Sequence, residues 1–264
     1  MPNTDRNPPP RACWPHACGI VALYLVLATI AATLFAAQAR RLGLGGREAA
    51  ARLVLCLLTV EAIFLAVSVP FLVALALRLT AWRSRTLAVG IPVALVLAIS
   101  FVVCWLGAHQ DLETTRLAWC QAFLLSFAAL LVGLTALCAC AGFGSTSAQL
   151  AATLVALAML GNVFYANPLI EAAPTPAIRV ATIQTVLWTN PWLLAGGTIL
   201  EADPVRAKRL YSWSVISYYS FSYPVSDLGS VRGPAVATSA YFAAALVLAV
   251  LARLVVWARR RRRS

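Results

Sequence analysis

A single carboxylate inside an otherwise apolar stretch is the residue of this sequence with the clearest capacity for chemistry. Glu61 lies ten residues after Ala51, the start of an apolar run that extends to Leu77. A carboxyl group in such surroundings is costly unless it faces a protein interior, where it can bind a proton or an ion. We therefore predict that Glu61 faces the interior of a helix bundle, either as a functional group or as a neutral, protonated or hydrogen-bonded structural residue. Pro70 in the same run removes one backbone hydrogen bond and predicts a kink, which serves either as a hinge or only in packing.

The sequence lacks the patterns that enzymes and cofactor-binding proteins need. Its seven cysteines show no Cys-x-x-Cys spacing, and its two histidines do not suffice for a haem or zinc site. The one lysine, Lys208, is not part of a glycine-rich phosphate-binding loop. The turn over Gly142–Ser147 is superficially similar to a nucleophile turn, but no histidine lies near it. We predict no catalytic residues, no metal ligands and no cofactor, so the chain by itself is not an enzyme.

The elements that carry these residues are predicted to be membrane-spanning helices. Of the 264 residues, 61% are hydrophobic and only 11% are charged, whereas soluble domains have about a quarter of their residues charged. A bilayer core about 30 Å thick requires about 20 apolar helical residues. Six stretches are long enough, namely Ala17–Ala37, Ala51–Leu77, Leu87–Ala108, Leu117–Ala141, Ala148–Ile170 and Ala235–Trp257. The sequence predicts an all-α polytopic membrane protein with six transmembrane helices.

The distribution of basic residues predicts the orientation of these spans. The formal net charge is +12, but five arginines form the run Arg259–Arg263 directly after the last span. That position is typical of a membrane anchor and not of a nucleic-acid-binding surface. About eleven basic residues flank the spans on the side of the termini and five on the other side, where the cluster from Arg40 to Arg47 opposes the rule. The balance predicts a cell (inner) membrane protein with both termini cytoplasmic.

The predicted organisation follows from these spans. A cytoplasmic arm covers residues 1–16, a transmembrane domain covers 17–258 and a basic cytoplasmic tail covers 259–264. The first span is interpreted as an uncleaved anchor, because its apolar region is longer than that of most signal peptides; a cleaved signal peptide is the alternative.

An outer segment over residues 171–234, between predicted spans five and six, is neither a polar linker nor an uninterrupted span. Asn190 followed by Pro191 predicts a helix start, since asparagine caps helix N-termini and proline fits the first turn. Gly196 and Gly197 then predict the end of that short helix. Broken helices of this kind are typical of interfacial or re-entrant elements.

A second helix start is predicted later in the same outer segment. Asp203-Pro204 precedes a run rich in aromatic residues that includes Tyr218 and Tyr219. The outer segment is interpreted either as an aromatic-rich cap that packs on the spans or as an outer gate for a transported substrate. If both of its helices crossed the membrane, the chain would have eight spans.

Three short stretches, together with the six-span pattern, have counterparts in a known family. They are Glu61–Ala74 with its Pro70, the hairpin between spans four and five that begins at Ala129, and Thr189-Asn190-Pro191. These features resemble the type-2 permease family, the membrane subunits of ATP-binding-cassette exporters. The resemblance implies six spans, cytoplasmic termini, a short coupling helix after span two and a broken-helix segment between spans five and six.

The resemblance also implies partners. A separate ATP-binding-cassette ATPase subunit would push on the loop after span two, where Arg78, Arg83 and Arg85 are the candidate coupling residues. That loop lacks the acidic residues and the glycine that the family usually carries, a departure that fits a divergent subunit. A second permease would complete a homodimer or heterodimer. The chain would then export an unidentified substrate by alternating access.

Two other functions stay open at the level of sequence. The chain is alternatively a non-transport membrane scaffold or assembly factor, whose basic tail binds anionic lipid or a protein partner. It is alternatively an ion- or proton-coupled transporter centred on Glu61. An ATPase partner would support the exporter. A requirement for the basic tail would support the scaffold, and a requirement for the Glu61 carboxyl would support the ion- or proton-coupled transporter.

Overall fold

The structure is a computed structural model that describes residues 14–77, 82–108, 110–165, 167–200 and 232–261. Over these ranges every regular element is a helix, which confirms the predicted all-α class. In chain order the helices are α1 (Trp14–Arg41), α2 (Gly46–Ala76), α3 (Trp82–Ala108), α4 (Thr114–Cys140), α5 (Ser145–Tyr165), α6 (Asn167–Glu171), α7 (Pro176–Thr189), α8 (Pro191–Leu200) and α9 (Arg232–Arg261).

Five helices in the described part of the chain are long and apolar enough to cross a membrane. They are Cys18–Arg41, Gly46–Ala76, Thr86–Ala108, Thr114–Cys140 and Pro234–Arg261, and they correspond to predicted spans one to four and six. The chain is therefore a multi-pass membrane protein. The predicted fifth span is not among the five; the structure describes that stretch as α5, of 21 residues, followed by the separate five-residue helix α6.

Helix α2 is the centre of the bundle. It packs against α1, α3, α4, α5 and α8, and side chains along its length, such as Val54 and Val69, are completely buried. The helix continues without interruption through Pro70, which is itself buried. One face of α2 therefore lies in the protein interior, whereas Ile63, Val67 and Phe71 on the same helix are exposed.

Helices α4 and α9 run parallel to each other. Near their starts, the rings of Phe123 and Tyr241 meet edge to face with centroids 5.0 Å apart. Further along both helices, a Cβ atom placed on Gly133 would lie 3.1 Å from the carbonyl oxygen of Ala245 and 3.1 Å from Cβ of Leu248. The two backbones come this close because glycine has no side chain at the crossing. Both helices consequently end at the same end of the bundle.

A capped turn joins α7 to α8. Oδ1 of Asn190 accepts hydrogen bonds from the backbone N–H groups of Trp192 at 3.0 Å and Leu193 at 3.2 Å. Asn190 is therefore the N-cap of α8, and Pro191 is its first residue. The helix start that the sequence predicts at this position is confirmed.

The predicted end of this helix at Gly196 and Gly197 is wrong. Helix α8 continues through both glycines to Leu200, and both are buried. A glycine in a helix interior costs about 1 kcal/mol relative to alanine, but burial of the surrounding apolar side chains outweighs that cost here. Leu193 and Leu194, for example, are almost completely excluded from solvent.

Helix α8 is inserted into the bundle antiparallel to α4. The Cys120 thiol donates to the Ala195 carbonyl at 3.7 Å, and the Arg116 guanidinium, nearer the start of α4, donates to the Thr198 carbonyl at 3.4 Å. Helix α8 also packs against α2 and α9. The pair α7 and α8, with Asn190 at its tip, is called the α7–α8 hairpin below.

Candidate functional site

The main candidate site is a buried polar cluster formed by Glu61 on α2, Ser100 on α3 and Gln121 on α4. The Ser100 hydroxyl donates to Oε2 of Glu61 at 2.5 Å. The Gln121 side-chain amide donates to the same carboxyl oxygen at 3.0 Å and to the Ser100 oxygen at 3.3 Å. Glu61 has no exposed surface, and Ser100 is 1% exposed. Three helices thus place polar side chains at one point within an apolar core.

Further polar side chains from neighbouring helices border this cluster. Tyr24 on α1 and Cys104 on α3 are each 1% exposed, and both lie within electrostatic reach of the Glu61 carboxyl and interact with Ser100. The Tyr24 ring also packs on Phe64, with centroids 5.3 Å apart. Helix α1, which packs against α2 and α3, therefore also contributes a side chain at the border of the cluster.

The cluster is not fully satisfied. Within the described residues, Oε1 of Glu61 and Oε1 of Gln121 are buried and have no hydrogen-bond partner. No basic side chain of this part of the chain forms an ion pair with Glu61, since the two ion pairs found are Arg52 with Glu48 and Arg116 with Glu113. Buried polar atoms without partners are rare and costly, so this pair of oxygens requires a physical explanation.

A second polar network holds the tip of the α7–α8 hairpin. The side-chain amide of Asn190 donates to the Leu160 carbonyl at 2.9 Å and to Oδ1 of Asn162 on α5 at 2.9 Å. The Asn162 amide in turn donates to the Val186 carbonyl at 3.0 Å and to the Thr189 hydroxyl at 2.9 Å. These bonds satisfy buried polar groups at the point where α7 ends and α8 begins.

The last helix adds one more bond to the hairpin tip. The Tyr241 hydroxyl of α9 donates to the Thr189 carbonyl at 3.0 Å, and Tyr241 is 8% exposed. Helices α5 and α9 are therefore both tied to the tip of the hairpin. Because the donors and acceptors of this network bind one another, it is a structural joint and leaves none of these described polar groups unpaired to bind a ligand.

A cavity lined by basic residues lies at the C-terminal end of α4. Cys140, Val256, Arg259 and Arg260 line a cavity of about 280 Å³. Gly142, in the turn after α4, has φ +104°, and a Cβ atom placed on it would lie 2.7 Å from a guanidinium nitrogen of Arg259. The end of α9 thus packs against the turn between α4 and α5, with two arginines beside an apolar wall.

The structure brings some predicted site residues into the interior, while others fall outside the described ranges. Glu61 and Pro70 are buried in α2, and Asn190 and Pro191 are buried at the start of α8. Arg83 and Arg85 lie in the first turn of α3. Arg78, Tyr218 and Tyr219 lie outside the described residues, as does the second helix start predicted at Asp203-Pro204. No described contact brings Glu61 and Asn190 together.

Sequence reasoning missed four of the polar residues that build these clusters, namely Ser100, Gln121, Asn162 and Tyr241. Each is a lone polar side chain within an apolar run, which is the same signal that identified Glu61. Attention to uncharged polar residues in the spans would have found them as candidates for bonds between helices. Their pairing depends on helix rotation, which the sequence pattern does not give.

The Glu61 carboxyl can hold a proton at this site. Among the described residues, no group of three or more histidine, cysteine, aspartate or glutamate side chains could hold a metal ion. Comparison with protein-family models, with curated proteins and with solved structures finds no match to this chain.

Proposed function

We propose that this chain is the membrane-spanning permease subunit of an ATP-binding-cassette exporter, which moves an unidentified substrate and is powered by a separate ATPase chain. The observation that carries the proposal is the α7–α8 hairpin, whose buried helix α8 packs on the central helix α2. In alternating access, a substrate path opens and closes as packed helices change partners. A short helical hairpin within a bundle of spans is an element that can move in this way.

The number of crossings in this proposal is six. Helices α4 and α9 are both candidate spans and run parallel, so the chain between them must cross the membrane once more in the opposite direction. Helix α5 supplies that crossing, since its 21 residues extend about 32 Å at about 1.5 Å per residue. With α5 counted, both termini lie on the same side, which is proposed to be the cytoplasmic side of the cell (inner) membrane because the tail is basic.

The α7–α8 hairpin is proposed to be a re-entrant element that enters and leaves on the outer side. Helix α8 has ten residues and a length of about 15 Å, half of the hydrocarbon thickness, so it does not cross by itself. Its bonds to Arg116 and Cys120 orient it toward the end at which α4 begins. In the proposed topology that end faces outward, where a substrate would leave.

Coupling to the ATPase is proposed at the connection between α2 and α3. Arg83 and Arg85 lie in the first turn of α3 at this connection, and Arg78 precedes it in the sequence. Displacement of the connection would move α2, which contacts α8 directly. The proposed mechanism is thus a rigid-body tilt of α2 that repacks the hairpin.

Two further partners belong to this proposal. A second permease, identical or different, would pack on apolar faces of the outer helices; large side chains such as Leu34 and Leu246 are more than 60% exposed there. Anionic lipid is the proposed partner of the basic tail, whose residues Arg259 and Arg260 line the cavity beside Val256. Arginines at this depth attract lipid phosphates, and the composition supports no nucleic-acid partner.

The test is isolation of the full chain with a C-terminal tag from its native membrane in mild detergent. We expect a P-loop ATPase to co-purify, and the double charge reversal Arg83→Glu/Arg85→Glu to remove it while the chain stays in the membrane. The matched control is Arg40→Glu/Arg41→Glu, which changes the same charge in the last turn of α1 and should retain the ATPase. A stable chain that purifies with no ATPase would overturn the proposal and favour the membrane scaffold.

A further inference from the structure

The buried Glu61 cluster has a hydrogen-bond count that does not close with an ionised carboxylate. Oε2 of Glu61 accepts from Ser100 at 2.5 Å and from Gln121 at 3.0 Å. Oε1 of Glu61 and Oε1 of Gln121 have no donor among the described residues. Both of these atoms are acceptors, and a carboxylate has no hydrogen to donate. One additional proton on Oε1 of Glu61 turns this unpaired acceptor into a donor and removes the buried negative charge.

Charge leads to the same conclusion. An ionised carboxylate without a basic partner is costly in an apolar interior. The titratable side chains that reach Glu61 are Tyr24 from α1, Cys104 from α3 and Cys120 from α4, and none of them carries a positive charge. Helices α5 and α8 also pack against α2 but contain no acidic or basic residue. A bound proton is the smallest cation that neutralises the site.

We infer that Glu61 is a proton-binding site, protonated on Oε1 while the helices are packed as in this structure. When α4 or the hairpin separates from α2 and water enters, the carboxyl passes this proton to water and becomes an anion with a hydronium ion as product. On return to the packed arrangement it takes a proton back. The site thus holds one proton per chain, and the packing of the helices controls whether the proton is bound or released.

The position of the cluster explains how packing would control it. Gln121 is adjacent in sequence to Cys120, and the Cys120 thiol donates to the Ala195 carbonyl of α8 at 3.7 Å. Movement of α8 along α4 therefore acts on the helix that holds one of the two partners of the carboxyl. The inference stands on these contacts and does not depend on an ATPase partner.

The test is infrared difference spectroscopy of the purified full-length protein in lipid vesicles, with Glu61→Gln subtracted from the natural sequence. We expect the difference near neutral pH to contain the carbonyl stretch of one protonated carboxyl group per chain. Raising the pH should convert this band to that of a carboxylate with loss of one proton. A difference that contains only a carboxylate band near neutral pH would overturn the inference.

A matched variant and a second readout complete the experiment. Glu48→Gln removes an exposed carboxylate that pairs with Arg52, so subtracting it should give the carboxylate band alone. Gln121→Leu keeps the carboxyl but removes one partner, and it should shift the frequency of the protonated band. If Glu61→Gln does not fold, the frequency shift in Gln121→Leu tests the inference instead. An unshifted carbonyl band in Gln121→Leu would show that the protonated carboxyl is not the one bonded to Gln121, which would overturn the inference. ATPase co-purification is read separately, so the two proposals fail independently.

Discussion

The side-chain amide of Asn190 donates a hydrogen bond of 2.9 Å to Oδ1 of Asn162, across 28 residues of chain. Oδ1 of the same Asn190 side chain accepts from the first N–H groups of α8. One residue therefore begins a helix and fastens it to α5. This double role makes the hairpin tip the joint on which the proposed movement of α8 depends.

We expect Asn190→Ala to lower the free energy of unfolding by about 2–3 kcal/mol. The lost cap accounts for about 1 kcal/mol, and the buried oxygen of Asn162 left without a donor accounts for the rest. Asn190→Ser keeps a capping oxygen but not the amide donor, so its loss should be intermediate. Thermal unfolding of the detergent-solubilised protein measures both. The control is Thr185→Ala, whose exposed hydroxyl bonds only to its own helix; equal losses in all three variants would contradict this assignment.

The close crossing of α4 and α9 predicts a strong size limit at Gly133. We expect Gly133→Leu to destabilise the protein by about 3 kcal/mol, because an overpacked crossing costs about 1–3 kcal/mol or more and the nearest atom is a backbone carbonyl oxygen. A Cβ atom placed on Gly161 of α5 would meet no atom within 4 Å, so Gly161→Leu should be tolerated. Comparison of the two Tm values checks the prediction, and a tolerated Gly133→Leu would mean that α9 does not pack here.

The basic cavity predicts retention of anionic lipid at one end of the bundle. We expect Arg259→Gln/Arg260→Gln to weaken binding of phosphatidylglycerol by about 20- to 30-fold, since each arginine near the membrane surface contributes about 1 kcal/mol. Native mass spectrometry of the full chain measures bound lipid. Free phosphate at matched concentration should not compete if the apolar wall at Val256 holds an acyl chain. Arg40→Gln/Arg41→Gln, at the end of α1, is the matched change of charge; an equal effect there would indicate unspecific attraction.

The parallel course of α4 and α9 predicts the sidedness of the connecting turns. Leu42 lies exposed in the turn after α1, and Phe143 lies exposed in the turn after α4. With alternating crossings, Leu42→Cys and Phe143→Cys in a chain without other cysteines should react with a membrane-impermeant maleimide from opposite sides. Phe143→Cys should react from the side that carries the tail. Labelling of both from one side would exclude the alternating topology.

The sequence by itself determined the class of this protein and the identity of most of its helices. Apolar runs of membrane length require helices in lipid, because an unpaired backbone group there has no water to bind. The helix start at Asn190-Pro191 was also predictable, since capping is a local interaction within four residues. Glu61 was identified from the same linear hydropathy pattern as the spans, because it is a charged residue that interrupts an apolar run.

Only the tertiary structure decided what these residues contact. Glu61 meets Ser100 across 39 residues and Gln121 across 60, and such partners depend on how each helix is rotated about its axis. The end of α8 was predicted wrongly at Gly196-Gly197 because local propensity is weaker than burial between α2 and α4. The crossing at Gly133 was likewise decided by the fit of two helix surfaces. Local patterns set elements, whereas side-chain fit between distant segments sets the site.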